Sequence, residues 1–73
     1  MMPLNLVDLG VEYTIQKILG KQKQRHHLES LGLVAGGRVK VFSKFNNYYV
    51  ISVKDTKIGI DESLAKMIVV NIA

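Results

Sequence analysis

The sequence predicts a mainly β protein, a small antiparallel β-barrel of about five strands with one short α-helix inserted after the first strand. Three features of the 73 residues support this prediction. Branched and aromatic residues form several short runs, one stretch of long polar side chains interrupts them, and Gly or Asn stands between runs. Short runs separated by turn residues are typical of small barrels, in which closing the sheet protects the strand edges.

Length and composition predict one domain, residues 1–73, with a single aliphatic core. Hydrophobic residues make up 48% of the chain and Cys is absent, which excludes disulfides, thiolate metal ligands and cysteine nucleophiles. The opening MMPLNLVDLG lacks a basic start, and no run of 18 apolar residues occurs. We therefore expect no signal peptide and no membrane span, and a soluble cytoplasmic protein.

The first strand is predicted over residues 11–19, VEYTIQKIL, because this run is rich in branched residues. Gly20 ends it. By alternation, three of its side chains share one face: Val11, Tyr13 and Ile15.

A short helix is predicted from about Gln22 to Leu31, where the stretch KQKQRHHLESL contains no β-branched residue. Three residues at helical spacing form its inward stripe: Gln24, Leu28 and Leu31. Gly32 follows the last apolar residue, at the position where a left-handed C-cap needs glycine.

The glycine-rich segment LESLGLVAGGRVKV raises the possibility of a phosphate-binding loop. A Walker-type loop would need Lys and then Ser or Thr after its last Gly, whereas Arg38 and Val39 stand here. A dinucleotide loop leaves a strand and enters a helix, and this segment does the reverse. We therefore interpret the glycines as structural: Gly32 ends the helix, Gly36 and Gly37 turn the chain, and Leu33 plugs the barrel.

The remaining elements follow in order along the C-terminal half. Strands are predicted over Arg38 to Phe45, Tyr48 to Asp55, Thr56 to Asp61 and Ile68 to Ile72. Asn46-Asn47 is a plausible two-residue hairpin turn, because Asn tolerates positive φ. Residues 62–67 are predicted to form a single helical turn with Asp61 as its N-cap. This order of elements predicts an SH3-like barrel.

The same segments resemble the FeoA family, small cytoplasmic accessory proteins of bacterial ferrous iron transport. The resemblance rests on the basic helix running into LESLGLVAGGRVKV, on the later GIDESLAKMIVV, and on the leader before the first strand. It spans about Leu4 to Ile72. Two positions depart from the family pattern: Gln24 stands where Leu is common, and Ala35 where Pro is common.

The resemblance implies a protein that binds the cytosolic region of the ferrous iron permease, ferrous iron transport protein B, and that meets the membrane only through it. We expect the helix and its exit loop to make this contact, with apolar groups giving affinity and cations steering association. The predicted partner-binding residues are Lys21, Lys23, Arg25, His26, Val34 and Ala35.

No catalytic residue, cofactor, metal site or small-molecule substrate is predicted. His26 and His27 are adjacent, so they point about 100° apart on a helix and cannot easily share one ion. Glu29 lies three residues from His26 but completes no ligand cluster. The serines have no histidine at a suggestive spacing.

Two other functions remain open from the residues. A detached regulatory barrel like that of metal-dependent repressors would share the fold, although no winged-helix segment precedes it here. A small nucleic-acid-binding barrel is suggested by the net charge of +4, but acids and bases are mixed along the strands and exposed stacking aromatics are few. Four aromatics cluster near the predicted hairpin, of which half should be buried and half could form a peptide-binding rim: Phe42, Phe45, Tyr48 and Tyr49.

Overall fold

The computed structural model describes residues 1–72, and its six strands form one antiparallel sheet. The strands are β1 (Met2–Pro3), β2 (Glu12–Ile18), β3 (Arg38–Phe45), β4 (Tyr48–Val53), β5 (Thr56–Asp61) and β6 (Ile68–Ile72). A 3₁₀ turn, Leu4–Leu6, follows β1, helix α1 (Gln22–Ser30) follows β2, and the single turn α2 (Glu62–Ala65) joins β5 to β6.

The sheet runs in the order β1-β6-β2-β3-β4-β5, with β1 and β5 as its edges. Register shifts in β2 at Ile15/Lys17 and in β3 at Val41/Ser43 mark bulges, which increase the local bend and twist of a strand. The predicted fold class is confirmed: the protein is mainly β and antiparallel, with one short helix after the first long strand. The predicted closure of the barrel is not observed, because β1 and β5 do not pair with each other. The structure adds a sixth strand, β1.

The core consists of aliphatic side chains and two tyrosines, and it lies on the inner face of the curved sheet. Alternate residues of the strands supply most of it, as for Tyr13 and Ile15 on β2 or Tyr49 and Ile51 on β4. No polar or charged residue among residues 1–72 is fully buried. Stability therefore comes from apolar burial, at roughly 25 cal/mol per Å² removed from water.

The N-terminal segment before β2 contributes to the core, and the sequence pattern did not predict this contribution. Met2 and Pro3 pair with Val70 and Val69 of β6, and the Leu4 side chain is completely buried. The run LNLV has neither strand alternation nor a helical stripe, so its burial depends on the closing strand that it pairs with.

Several predicted boundaries or faces differ from the structure, and the helical turn predicted over residues 62–67 ends at Ala65. The strand predicted to end at Asp55 ends at Val53, and Lys54 and Asp55 form the turn to β5 with φ of 50° and 64°. Gln24, predicted to face inward, is exposed. Val11 lies just outside β2 and is 38% exposed, whereas Tyr13 and Ile15 are buried as predicted.

Helix α2 shows the predicted cap. The Ser63 hydroxyl and the Leu64 N–H donate to Asp61 Oδ1 at 2.7 and 3.0 Å. These donors, the Ser63 hydroxyl first, hold the pKa of the Asp61 carboxyl below its ordinary value because they stabilise the charged form.

Candidate protein-binding surface

The C-terminal end of helix α1 is the part that packs against the sheet. Leu28 is its one buried residue, and the other eight residues of Gln22–Ser30 are exposed. The Gly32 N–H donates to Glu29 O at 2.9 Å and the Leu33 N–H donates to Leu28 O at 3.1 Å. With φ of 99° at Gly32, these bonds form a Schellman motif, which brings Leu28 and Leu33 together in the core.

The N-terminal end of α1 is built without the usual acidic or hydroxyl cap. Lys21 occupies the N-cap, and its backbone N–H donates to Gln24 Oε1 at 3.2 Å. Gln24 therefore satisfies a backbone group at the helix start, which explains why it faces solvent. The first turn contains no acidic residue, while Lys21, Lys23 and Arg25 place positive charge near the positive end of the helix dipole. This arrangement is unfavourable for the helix.

The exit loop closes in a tight turn against β2. The Gly37 N–H donates to Val34 O at 3.0 Å, and Gly36, with φ of 89°, occupies the third position of this turn. Positive φ at that position is what a type II turn requires. The Gly36 N–H donates to Ile15 O, and the Ile15 N–H donates to Gly37 O, both at 2.8 Å. These two bonds fix the loop rigidly to the sheet.

All six residues predicted to bind a partner lie on the surface: Lys21, Lys23, Arg25, His26, Val34 and Ala35. They do not share one helix face. Lys21 and Arg25 are four residues apart and lie together, whereas Lys23 and His26 lie on another side of α1. Val34 and Ala35 stand on the rigid turn, with Val34 38% exposed. The cations therefore surround the helix, and the apolar groups lie beyond its end.

Two further surface features lie outside the predicted partner-binding residues, and the second contains aromatics that the sequence analysis named as a possible rim. An open groove of about 310 Å³ is lined by Glu12, Arg38, Val39, Lys40, Ser52, Lys54 and Asp55, and the Arg38 guanidinium donates to Glu12 Oε1 at 3.1 Å across it. On the outer face of β3 and β4, Phe42, Phe45 and Tyr48 are each more than half exposed. Half of the four aromatics were predicted to be buried, but only Tyr49 is, because the bulge at Val41/Ser43 places Phe45 on the outer face.

Neither the helix nor the groove brings together a set of metal ligands. In the part of the chain that the structure describes, no three His, Cys, Asp or Glu side chains converge. Likewise, none of the helices within residues 1–72 has the length and apolar character needed to cross a bilayer.

Comparison with known proteins identifies the family. A family model for the FeoA domain matches residues 2–72. A search of curated proteins gives no match. The crystal structure of an iron uptake regulatory protein, FeoA, is similar with a TM-score of 0.88 at 28% identity, covering 96% of this chain and 93% of that one.

Two further structures share the fold at lower identity. Stenotrophomonas maltophilia FeoA, complexed with zinc and described as a prokaryotic SH3 domain protein, gives a TM-score of 0.84 at 22% identity, over 97% of this chain and 91% of its own. A manganese-dependent transcriptional repressor gives 0.88 at 16% identity, over 97% of this chain but only 41% of its own. Because the family model covers nearly the whole sequence, this chain belongs to the FeoA family, which has a role in ferrous iron transport.

Proposed function

We propose that this protein is a cytoplasmic accessory component of ferrous iron uptake that acts by contacting the cytosolic region of the membrane Fe(II) permease, ferrous iron transport protein B. It performs no catalysis of its own and carries no cofactor. Helix α1 and its exit loop make the contact. Membership of the FeoA family supports the role in ferrous iron uptake. The composition of α1 supports the choice of α1 as the contact surface.

The observation that carries this choice is the charge at the start of α1. Lys21 and Lys23 oppose the helix dipole, at a cost of about 0.3–1 kcal/mol for each charge near a terminus, and no acid in the first turn offsets them. Neither lysine forms an ion pair within residues 1–72, where the one pair is Arg38 with Glu12. Folding therefore gains nothing from these charges, whereas attraction of an acidic partner surface would explain them.

The exit loop supplies the apolar part of the contact. Val34 and Ala35 are exposed on a turn that is held by three backbone hydrogen bonds, one within the turn and two to Ile15 of β2. A rigid apolar tip loses little conformational entropy on binding, which favours affinity. The two contributions can be separated by kinetics. The α1 cations should control the association rate, and Val34 should control the dissociation rate.

The test measures association with the purified permease in detergent by biolayer interferometry. The double variant Lys23→Glu/Arg25→Glu should associate at least tenfold more slowly at low salt, and the difference should shrink as salt rises. Val34→Ser should instead dissociate faster. The matched control Lys44→Glu/Lys66→Glu changes the net charge equally on exposed residues elsewhere and should have a smaller effect.

Thermal unfolding of the same variants separates binding from folding. Acidic residues near the start of α1 suit the helix dipole, so Lys23→Glu/Arg25→Glu should unfold at the same or a higher temperature than the natural sequence. Slower association by a more stable protein cannot be attributed to misfolding. Equal association rates for the helix variant and its control, or no binding to the full permease, would contradict the proposal.

A further inference from the structure

A second exposed surface lies on the outer face of the hairpins formed by β3, β4 and β5. The strand register sets its side chains in three rows across the sheet. Phe45, Tyr48 and Asp61 form the first row, Ser43, Val50 and Gly59 the second, and Lys40, Ser52 and Lys57 the third. We call this surface the hairpin face. One end of it is aromatic and the other is basic.

The aromatic end is held in a fixed, exposed position. Phe45 is 75% exposed and Tyr48 51%, and they are direct cross-strand partners. The Tyr48 ring lies across Gly59 on the neighbouring strand, where a Cβ atom would overlap the ring. Gly59 thus lets Tyr48 lie flat on β5, and the two aromatics present a rigid apolar platform to solvent.

The basic end carries two lysines that form no ion pair in the described part of the chain, since Glu12, the cross-strand neighbour of Lys40, pairs with Arg38 instead. Lys57 Nζ lies 3.7 Å from the ring centroid of Phe42, which is 55% exposed at the β3 bulge. Lys40 stands in the same row, and within residues 1–72 neither lysine has a carboxylate partner. Asp61, in the aromatic row, accepts hydrogen bonds from the start of α2. Two cations on this face are therefore available to an acidic group.

From this arrangement we infer that the hairpin face binds an extended segment of a partner protein that carries an apolar or aromatic side chain and a carboxylate four residues apart. The first and third rows are separated by four residues of β4, Tyr48 to Ser52, or about 13 Å at 3.3 Å per residue. In an extended peptide, side chains four residues apart lie on the same side at the same spacing. The apolar group would cover Tyr48 and Phe45 while the carboxylate reached Lys40 and Lys57.

The charges of the hairpin face favour an acidic peptide over a second copy of this chain and over single-stranded nucleic acid. A second copy of this chain that met the face with the same rows aligned would bring Lys57 and Lys40 toward equal charges, which is unfavourable. Single-stranded nucleic acid needs cations that follow its backbone past the stacking aromatics. Here Asp61 stands opposite Tyr48, and Glu62 is held at the Asn47 turn by a 2.7 Å backbone bond. Both acids would repel phosphate at the aromatic end.

The test uses ten-residue peptides with Leu, Ile, Phe, Tyr or Trp at one position, Glu four residues away, and Thr and Ser elsewhere. Binding is followed by amide chemical shifts of the ¹⁵N-labelled full chain. At least one peptide should shift the amides of β3–β5 in a saturable manner. Replacing its Glu by Lys should weaken binding at least tenfold, and moving Glu to three residues away should weaken it similarly, because the two side chains then point to opposite sides.

Protein variants locate the site. Phe45→Ser and Lys57→Glu should each weaken peptide binding at least fivefold, whereas Leu6→Ser and Lys66→Glu, also at exposed positions, should not. The inference is overturned if no peptide of the panel shifts β3–β5 at millimolar concentration, or if the Glu-to-Lys peptide binds equally well. It is equally overturned if Phe45→Ser weakens binding of an oligothymidylate, or weakens self-association in sedimentation equilibrium, but does not weaken binding of the peptides. Because the hairpin face lies on β3–β5, its failure would leave the proposed role of α1 untouched.

Discussion

Leu28 anchors α1 to the barrel, and its truncation tests how this small domain holds its helix. Leu28 is the only buried residue of α1 and is 0% exposed, in the same core cluster as Leu33. Leu→Ala at fully buried sites costs about 2–5 kcal/mol. A chain of this length has a total stability of only about 4–11 kcal/mol. We therefore expect Leu28→Ala to remove about 3 kcal/mol, a large share of the total.

The assay is urea unfolding followed by circular dichroism. Small domains have m-values near 1 kcal/mol per M urea, so a loss of about 3 kcal/mol moves the midpoint down by about 3 M. Leu9→Ala is the matched control, since Leu9 is 55% exposed and its truncation should cost less than about 0.5 kcal/mol. Leu28→Met conserves volume and should cost less than about 1.5 kcal/mol.

A small effect would refute the reasoning. If Leu28→Ala lost less than about 1 kcal/mol and matched Leu9→Ala, α1 would be dispensable to the core and its attachment would depend on the backbone bonds of the Schellman motif alone. If Leu28→Ala failed to fold, Leu28→Met would still report the site, because a volume-conserving change that destabilised as strongly would show that shape and not burial controls the anchor.

Two further predictions concern the β4–β5 turn and the α2 cap. Lys54 and Asp55 both have positive φ, the conformation of a type I′ turn that favours Asn-Gly. The double variant Lys54→Asn/Asp55→Gly should therefore raise the free energy of unfolding by about 1 kcal/mol, and a lower urea midpoint would contradict this. For α2, the pKa of Asp61 is lowered in the folded state, so its stabilisation is present above about pH 4 and is lost as pH falls through the folded value. Asp61→Asn keeps a capping oxygen that does not titrate, so the melting temperature of the natural sequence should fall further than that of the variant between pH 4 and pH 2. Parallel curves would argue against a role for Asp61 in the acid response.

The elements that could be predicted from the sequence are those whose conformation follows from the preferences of their own residues. Alternation of Val39 and Val41 with charged residues indicates β3, and the absence of β-branched residues indicates α1. Gly32 after an apolar residue indicates a helix end, and its φ of 99° agrees. In each case the local preference and the tertiary structure coincide.

The features that could not be predicted depend on partners distant in sequence. β1 is a strand only because Met2 and Pro3 meet β6, nearly seventy residues away along the chain. The turn at Lys54 and Asp55 carries no turn-favouring Gly or Asn, so pairing of β4 with β5 forces its positive φ. The hairpin face likewise depends on the bulge between Val41 and Ser43, which turns Phe45 outward although alternation from Val39 and Val41 would place it inside, and the sequence periodicity does not indicate this bulge.

The two proposed surfaces share a physical signature: each contains residues that the fold itself does not need. Lys21 and Lys23 oppose the dipole of α1, and Phe45 and Tyr48 leave much of their area in water. In a chain with only about 4–11 kcal/mol of stability, unfavourable charge and unburied aromatic area are costly. Binding a partner would offset both costs, because the cations would be paired and the aromatic rings would be buried. The surface, and not an internal cavity, is therefore where we expect this protein to act.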